Sequence, residues 1–351
     1  MIEKYYNGVI EQVAGGIGNV EHNSILVRYS NDFSIWDLES VNHYKDQTDI
    51  FFTCHEFSYN KIAEAYEPYL GLIRQMFHKY CSGTLEEFME ECDVYKLQRP
   101  VFESYFEKGF CERTEQILID EVEYEQERMR NSIVTMLQKL SEIRPVVIVL
   151  NRFQLASKST MQLSNSLLQV KNKNIGIVLG VNDVQSIPEF AHEEWDAICE
   201  SMDDRNMVYH IGNAGRNMEP DVMDYYSDYE SDDGYRKLNN LVYFLDFDQA
   251  DHHLSKIERR IKFDNFTISE KKHYQLLLLQ IMVSVLQRDI AKALESCEDL
   301  EKLQDQEKEG AFYYNFWMAT SYMYLGKLEE AMIYVQKASK YRPSRTSSRS
   351  R

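Results

Sequence analysis

Few stretches of this chain set reactive side chains at a spacing that chemistry uses. Asp246, Asp248 and Asp251, in VYFLDFDQAD, follow an apolar run, and a DxD at a strand end can hold Mg2+. Here Gln249-Ala250 follow and supply no hydroxyl, so the aspartates read instead as a strand end and the N-cap of a helix starting near Ala250. His55-Glu56 also follows an apolar run and has the residue types of a general-base pair, but no nucleophile accompanies it in a motif. His252 and His253 are adjacent, hence about 100° apart on a helix and unable to share one metal. Cysteines 54, 81, 92, 111, 199 and 297 form no CxxC pair and read as reduced thiols, Cys54 as a buried strand terminus.

These residues need elements to position them, and the composition permits real cores. The 351 residues are 44% apolar and 13% aromatic, which excludes wholesale disorder and suggests two or three domains. The formal charge of −18, from 57 acids against 39 bases, disfavours nonspecific nucleic-acid binding. No apolar run approaches the roughly 18 residues of a membrane span, and the start MIEKYYNGVIEQ lacks the pattern of a secretory leader. A cytoplasmic location is therefore expected.

Apolar runs at Ser24–Tyr29, Asp49–Cys54, Val146–Leu150 and Ile175–Val181 read as strands, with Leu241–Phe247 as a further one. The β-branched VVIVL and IGIVLGV suit strands buried on both faces of a parallel sheet. Between them, helices are expected over 2–14 (ended by Gly15, Gly16 and Gly18), 35–44, 64–80, 85–92, 101–110, within 111–143, and over 157–170. Alternation of the two types predicts an α/β sheet. Glu219–Asp233 holds seven acids and no Lys or Arg, so about 215–236 reads as a solvated acidic insertion.

From Ser269 onward the pattern is wholly helical, and a unit recurs. AFYYNFWMATSYMYLGKLEEAMIYVQKASKYRP resembles a tetratricopeptide repeat, a helical pair of about 34 residues. Ala319 and Tyr322 match its first helix, Gly326 its turn, Ala331 and Ala338 its second helix, and Pro343 its close. A fainter copy, LLLLQIMVSVLQRDIAKALESCEDLEK, puts Ala293 in the place of Ala331, 38 residues earlier. The aromatic helix Phe312–Trp317 reads as packing within the repeat. A concave peptide-binding face using Tyr313, Tyr314, Trp317 and Tyr322 is the alternative. The last ten residues, RPSRTSSRSR, carry four Arg and no acid, unlike a capping helix. A truncation, frameshift or cloning scar is expected there, with 344–351 a non-native basic tail.

Over about residues 1–265 the chain resembles the AAA-related STAND class of P-loop NTPases, signal-transduction ATPases that commonly carry helical repeats. Three stretches carry the resemblance: SILVRYSNDFSIWDLESVNHYKDQTDIFFTCHE, FSYNKIAEAYEPYLGLIRQMF with its Tyr66-to-Pro68 pair, and RPVVIVLNRFQLASKSTMQLSNSLL, with IGIVLGVND as the next strand. A P-loop curls consecutive N–H groups around phosphates, with Lys neutralising charge and Ser or Thr holding Mg2+. The resemblance places that loop at Tyr29–Trp36. There Ser30, Asn31, Asp32 and Ser34 include no glycine, Ile35 stands for the Lys, and Trp36 for the Ser or Thr. The Walker B acid is replaced by Asn151, followed by Arg152. A competing placement on Gly15-Gly16-Ile17-Gly18-Asn19-Val20 also lacks the Lys.

The resemblance thus implies a P-loop NTPase-like parallel sheet with flanking helices (1–265), followed by an all-α repeat region (266–343). It implies a regulatory scaffold rather than an enzyme, with no cofactor. ATP binding through Trp36 or Arg152, as a conformational switch, is the disfavoured alternative, and a repeat-based peptide adaptor is another. Protein partners are expected through the repeats, with no nucleic acid or membrane contact and self-association left open.

Overall fold

The computed structural model of the chain describes residues 2–19, 23–30, 34–47, 49–58, 61–111, 122–170, 172–183, 191–203, 207–211, 229, 231–264, 266–303 and 308–341. Asn31, Asp32, Val20, Pro343, the basic tail and most of the acidic insertion lie outside the described residues. The chain divides into two compact units, Met1–Asp246 and Phe247–Arg351.

The first unit is built on five parallel strands: β1 (Ser24–Tyr29), β2 (Phe51–Glu56), β3 (Val146–Asn151), β4 (Ile175–Asn182) and β5 (Val208–Ile211). Their order is β2-β3-β4-β1-β5. The β-branched runs take the centre because a central strand is covered on both faces: every residue of β3 and β4 is buried. On one face Tyr6, Val9, Ile10 and Val13 of α1 (Ile2–Gly16), with Val41 of α2 (Glu39–Lys45), pack on Ile25, Val27, Val147, Val149 and Val178. The elements α3 (Tyr69–Tyr80), α6 (Val122–Ile143), α7 (Lys158–Gln169) and α8 (His192–Asp203) pack side by side in a second layer. Helices α4 (Leu85–Glu91), α5 (Arg99–Lys108) and α9 (Asp232–Tyr243) complete the described helices of this unit.

Several boundaries differ from the sequence reading for definite reasons. Leu241–Phe247 is not a strand. Its first three residues end α9, which starts on a Ser231 cap and buries Leu238, Leu241 and Val242 at helical spacing. The chain then turns through Leu245, at φ 67°. The 35–44 helix is broken at Leu38, which is extended and separates a short 3-10 turn, Ile35–Asp37, from α2. The 64–80 helix begins only at Tyr69: Tyr66 has φ 56°, and Pro68 offers no N–H and disfavours helix at the residue before it. Strand β2 runs two residues past Cys54, which brings His55 and Glu56 into register with Leu150 and Asn151.

The second unit opens with α10 (Phe247–Phe263) and continues with two helical hairpins, α11 (Glu270–Leu286) with α12 (Ile290–Glu301), then α13 (Lys308–Tyr324) with α14 (Leu328–Lys340). Their turns are the same structure displaced by 38 residues. In the first, Asp289 N–H donates to Ser284 C=O (2.8 Å) and Arg288 N–H to Val285 C=O (3.0 Å). In the second, Lys327 N–H donates to Tyr322 C=O (2.9 Å) and Gly326 N–H to Met323 C=O (3.0 Å). This Schellman arrangement requires a left-handed residue, supplied by Gly326 (φ 71°) in one copy and by exposed Arg288 (φ 63°) in the other. Arg288→Gly is therefore expected to stabilise the second unit by about 1 kcal/mol, because glycine adopts this backbone without the Cβ clash. Chemical unfolding of the chain checks it; a loss of stability would contradict this account of the turn.

Candidate functional site

The topology marks one place for a ligand. From β1 the chain returns at β2, on one edge of the sheet; from β4 it returns at β5, on the other edge. Right-handed crossovers send these two connections to opposite faces, so the loops part at the carboxyl ends of the neighbouring strands β1 and β4. Residues Tyr29, Asn182, Asn151 and Glu56 end four strands along this edge and share one face through their register. The Gly15–Gly18 segment lies at the opposite edge, where Gly18 N–H donates to Lys173 C=O just before β4 (2.8 Å).

The loop after β1 is tied down by a carboxylate. Glu56 accepts from Ile35 N–H (3.2 Å) and from the Ser34 hydroxyl (3.3 Å) on Oε2, while its Oε1 pairs with Arg152 (3.1 Å). Glu56 and Arg152 side chains are only 9% and 19% exposed, so little water competes for them. Arg152 leaves β3 in a left-handed conformation, φ 52° and ψ 41°. Ile35 is fully buried in the apolar layer beside α1, whereas Trp36 is 46% exposed with the Lys45 ammonium 4.5 Å from its ring centre. The two residues at the Lys and Ser/Thr places of the resemblance therefore face core and surface.

Beside this latch Tyr29 donates to Asn151 Oδ1 (2.7 Å), both side chains being buried. Asn151 Nδ2 is buried without a hydrogen bond among the described residues. Tyr6 of α1 reaches the same spot over Gly180, and burial, with Tyr29 and Glu56 adding, pushes its phenol well above the usual range. Asn182 N–H donates to Gln154 (3.3 Å), and Asp183 pairs with Arg28 (2.7 Å).

His55 and Glu56 do not act as a pair, because successive strand residues point to opposite faces. His55 instead faces Glu67 (3.5 Å) in a cluster the sequence did not reveal. Glu67 accepts from Glu64 N–H (3.1 Å), Glu64 accepts from Asn240 of α9 (2.7 Å), and buried Lys237 pairs with Asp233 (3.2 Å). Burial lowers the His55 imidazole to about 4 and, with Glu67 adjacent, raises the Glu64 carboxyl to about 7; Glu67 is raised as well. Near neutrality the cluster therefore holds a neutral imidazole at His55, and its Glu64 carboxyl keeps a proton part of the time. The nearby Cys111 thiol is buried and pushed well up, so it is no nucleophile.

These shifts act on stability in opposite directions. His55 titrates lower in the folded chain, so its term is present above about 6.5 and is lost as pH falls towards about 4. Glu64 titrates higher in the folded chain, so its term is present below about 4.5 and is lost as pH rises through about 7. His55→Asn removes the first term alone. Its stability is expected to fall from pH 5 to pH 7 more steeply than that of the parent chain, as read by urea unfolding; an unchanged pH profile would contradict the assignment.

The remaining candidates are engaged locally. Asp246 accepts from Ser159 N–H at the start of α7 (2.9 Å), while Asp251 binds Lys292 (2.6 Å) and Asp248 accepts from Gln287 (3.0 Å). His253 is buried in α10, its imidazole pushed well below the usual range by burial. Tyr314 and Trp317 are buried in the second hairpin, and Tyr313 and Tyr322 are half-buried, Tyr322 stacked on Tyr334 with ring centres 5.5 Å apart. Among the described residues no His, Cys, Asp and Glu converge in a metal-binding group, and no helix is long and apolar enough to cross a membrane. Against family models, curated proteins and solved structures, the chain finds no match.

Proposed function

We propose that the chain is a catalytically inactive, NTPase-like regulatory scaffold that works through protein–protein contacts. In this reading the first unit is a degenerate P-loop domain of the STAND type, and the hairpins are tetratricopeptide-like repeats that receive the partner. The strand order supports it, since the loop after β1 lies at the parting of the sheet's connections, where a ligand of an α/β sheet belongs.

The observation that carries the reading is Glu56. Ile35 N–H and Ser34 OH, donors of the kind a phosphate would take, are given to an internal carboxylate, and Arg152 neutralises that carboxylate. A phosphate entering here would find these donors already taken, and with Arg152 spent on Glu56 and Ile35 in the lysine's place no cation is left to draw it in. Asn151, a neutral side chain bonded to Tyr29, is a poor substitute for the carboxylate that would hold Mg2+.

Titration with ATP, with and without Mg2+, tests this through the fluorescence of half-exposed Trp36. No saturable change up to millimolar nucleotide is expected. A saturable, Mg2+-dependent response would favour an NTP-binding switch and overturn the reading.

A further inference from the structure

The second unit ends on an unusually apolar surface. Of the 15 exposed large apolar side chains among the described residues, eight fall between Met323 and Tyr341. Scattered singly they would need no explanation, but crowded into one segment they mark an interaction site. Helix α14 buries Ala331 and Ala338 against its own hairpin, yet leaves Leu328 (65% exposed), Met332 (55%) and Val335 (48%) in a row along one side, at i, i+4 and i+7.

The 38-residue repeat shows that this side is shaped to receive a helix. Val335 corresponds to Cys297 of α12, which is 2% exposed. Helix α12 has α13 packed against it; α14 is the last described helix and has no such cover among the described residues.

The charges on α14 select the occupant. Glu329 and Glu330 lie in its first turn, Lys337 and Lys340 in its last. A second α14 laid antiparallel brings each acidic turn against a basic one and opposes the helix dipoles, whereas a parallel one sets like charge on like. The wheel places Glu329 and Lys340 close together, about 100° and 120° round from Leu328, so both border the apolar row. In the antiparallel pairing Glu329 of one copy meets Lys340 of the other. A two-fold axis closes this contact at two copies.

We propose that α14 is a self-association face and that its occupant is the α14 helix of a second copy of this chain, antiparallel about a two-fold axis. The inference stands whether or not the loop after β1 takes a nucleotide.

Sedimentation equilibrium of the full chain tests it. A single helix pair lies at the small end of stable interfaces, so dimer, at twice the 41.5 kDa chain mass, should build up by about 100 µM. Val335→Glu, at an exposed position, should abolish the dimer without changing the unfolding temperature read at about 1 µM, where the parent chain is monomeric. Glu329→Lys alone should weaken it about tenfold, since two symmetry-related pairs turn from attractive to repulsive. Adding Lys340→Glu should restore it. Monomer throughout, dimer unaffected by Val335→Glu, or a charge swap that restores nothing would each overturn the proposal.

Discussion

Replacing Gly180 by alanine is expected to destabilise the first unit by about 3 kcal/mol or more, at the upper end of overpacking effects. Gly180 lies in β4, where every residue is buried. A Cβ added there would stand 2.7 Å from Asn151 Oδ1 and fall on the Tyr6 hydroxyl. Neither neighbour can give way cheaply. Tyr6 is anchored in the fully buried face of α1, and Asn151 is held by the Tyr29 hydroxyl at 2.7 Å. The alanine must therefore displace α1 from the sheet or break the Tyr29–Asn151 bond. Gly176→Ala, four residues earlier on the same face, meets Val13 Cγ1 at 2.6 Å and should cost less, because that approach is less close and no buried hydrogen bond is broken. Urea unfolding of both variants checks the order. Equal losses, or a Gly180→Ala chain as stable as the parent, would show that Tyr6 does not sit where it is described.

Glu56→Ala is expected to cost about 2–3 kcal/mol, short of the 3–5 of a fully buried pair because Arg152 keeps a route to water. The substitution removes the carboxylate that pairs with Arg152 and leaves the Ile35 N–H and Ser34 hydroxyl without their acceptor. Glu56→Gln should lose about half as much, since an amide oxygen can still accept from Ile35 while the charge opposite Arg152 is gone. Amide hydrogen exchange supplies a local readout: Ile35 should exchange faster in the alanine variant than in the glutamine one. Equal exchange in the two would mean that Glu56 does not hold the loop.

The sheet was legible where burial was complete. Val146–Leu150 and Ile175–Val181 are uninterrupted apolar runs because they are central strands, and they announce themselves. Strand β5 does not: Val208–Ile211 is four residues long, at an edge, with Tyr209 and His210 exposed. Leu241–Phe247 misled for the converse reason. A short apolar run reads the same whether a strand or a buried helix end supplies it, and only the Ser231 cap and the spacing of Leu238, Leu241 and Val242 separate the two.

The site was legible only in its losses. That Ser30–Trp36 holds neither Lys nor Gly, and that Asn151-Arg152 holds no acid, can be read residue by residue, but the part taken by Glu56 cannot. It depends on β2 extending two residues past Cys54 and on a contact across 21 residues of sequence. Likewise the sequence set His55 beside Glu56, while the pleat sends them to opposite faces and gives His55 to Glu67. The second unit was clearer, because a repeated turn leaves a repeated signature: Gly326 marks one copy plainly, and Arg288 in the same backbone conformation hides the other.

The claim on which the account turns is that an internal carboxylate already holds the donors of the loop after β1. A crystal structure of the chain grown with ATP and Mg2+ tests this most directly. The expected result is Glu56 on Ile35 N–H and Arg152, with no phosphate at the carboxyl edge of β1 and β4. Phosphates seated there, with Glu56 swung away, would contradict it.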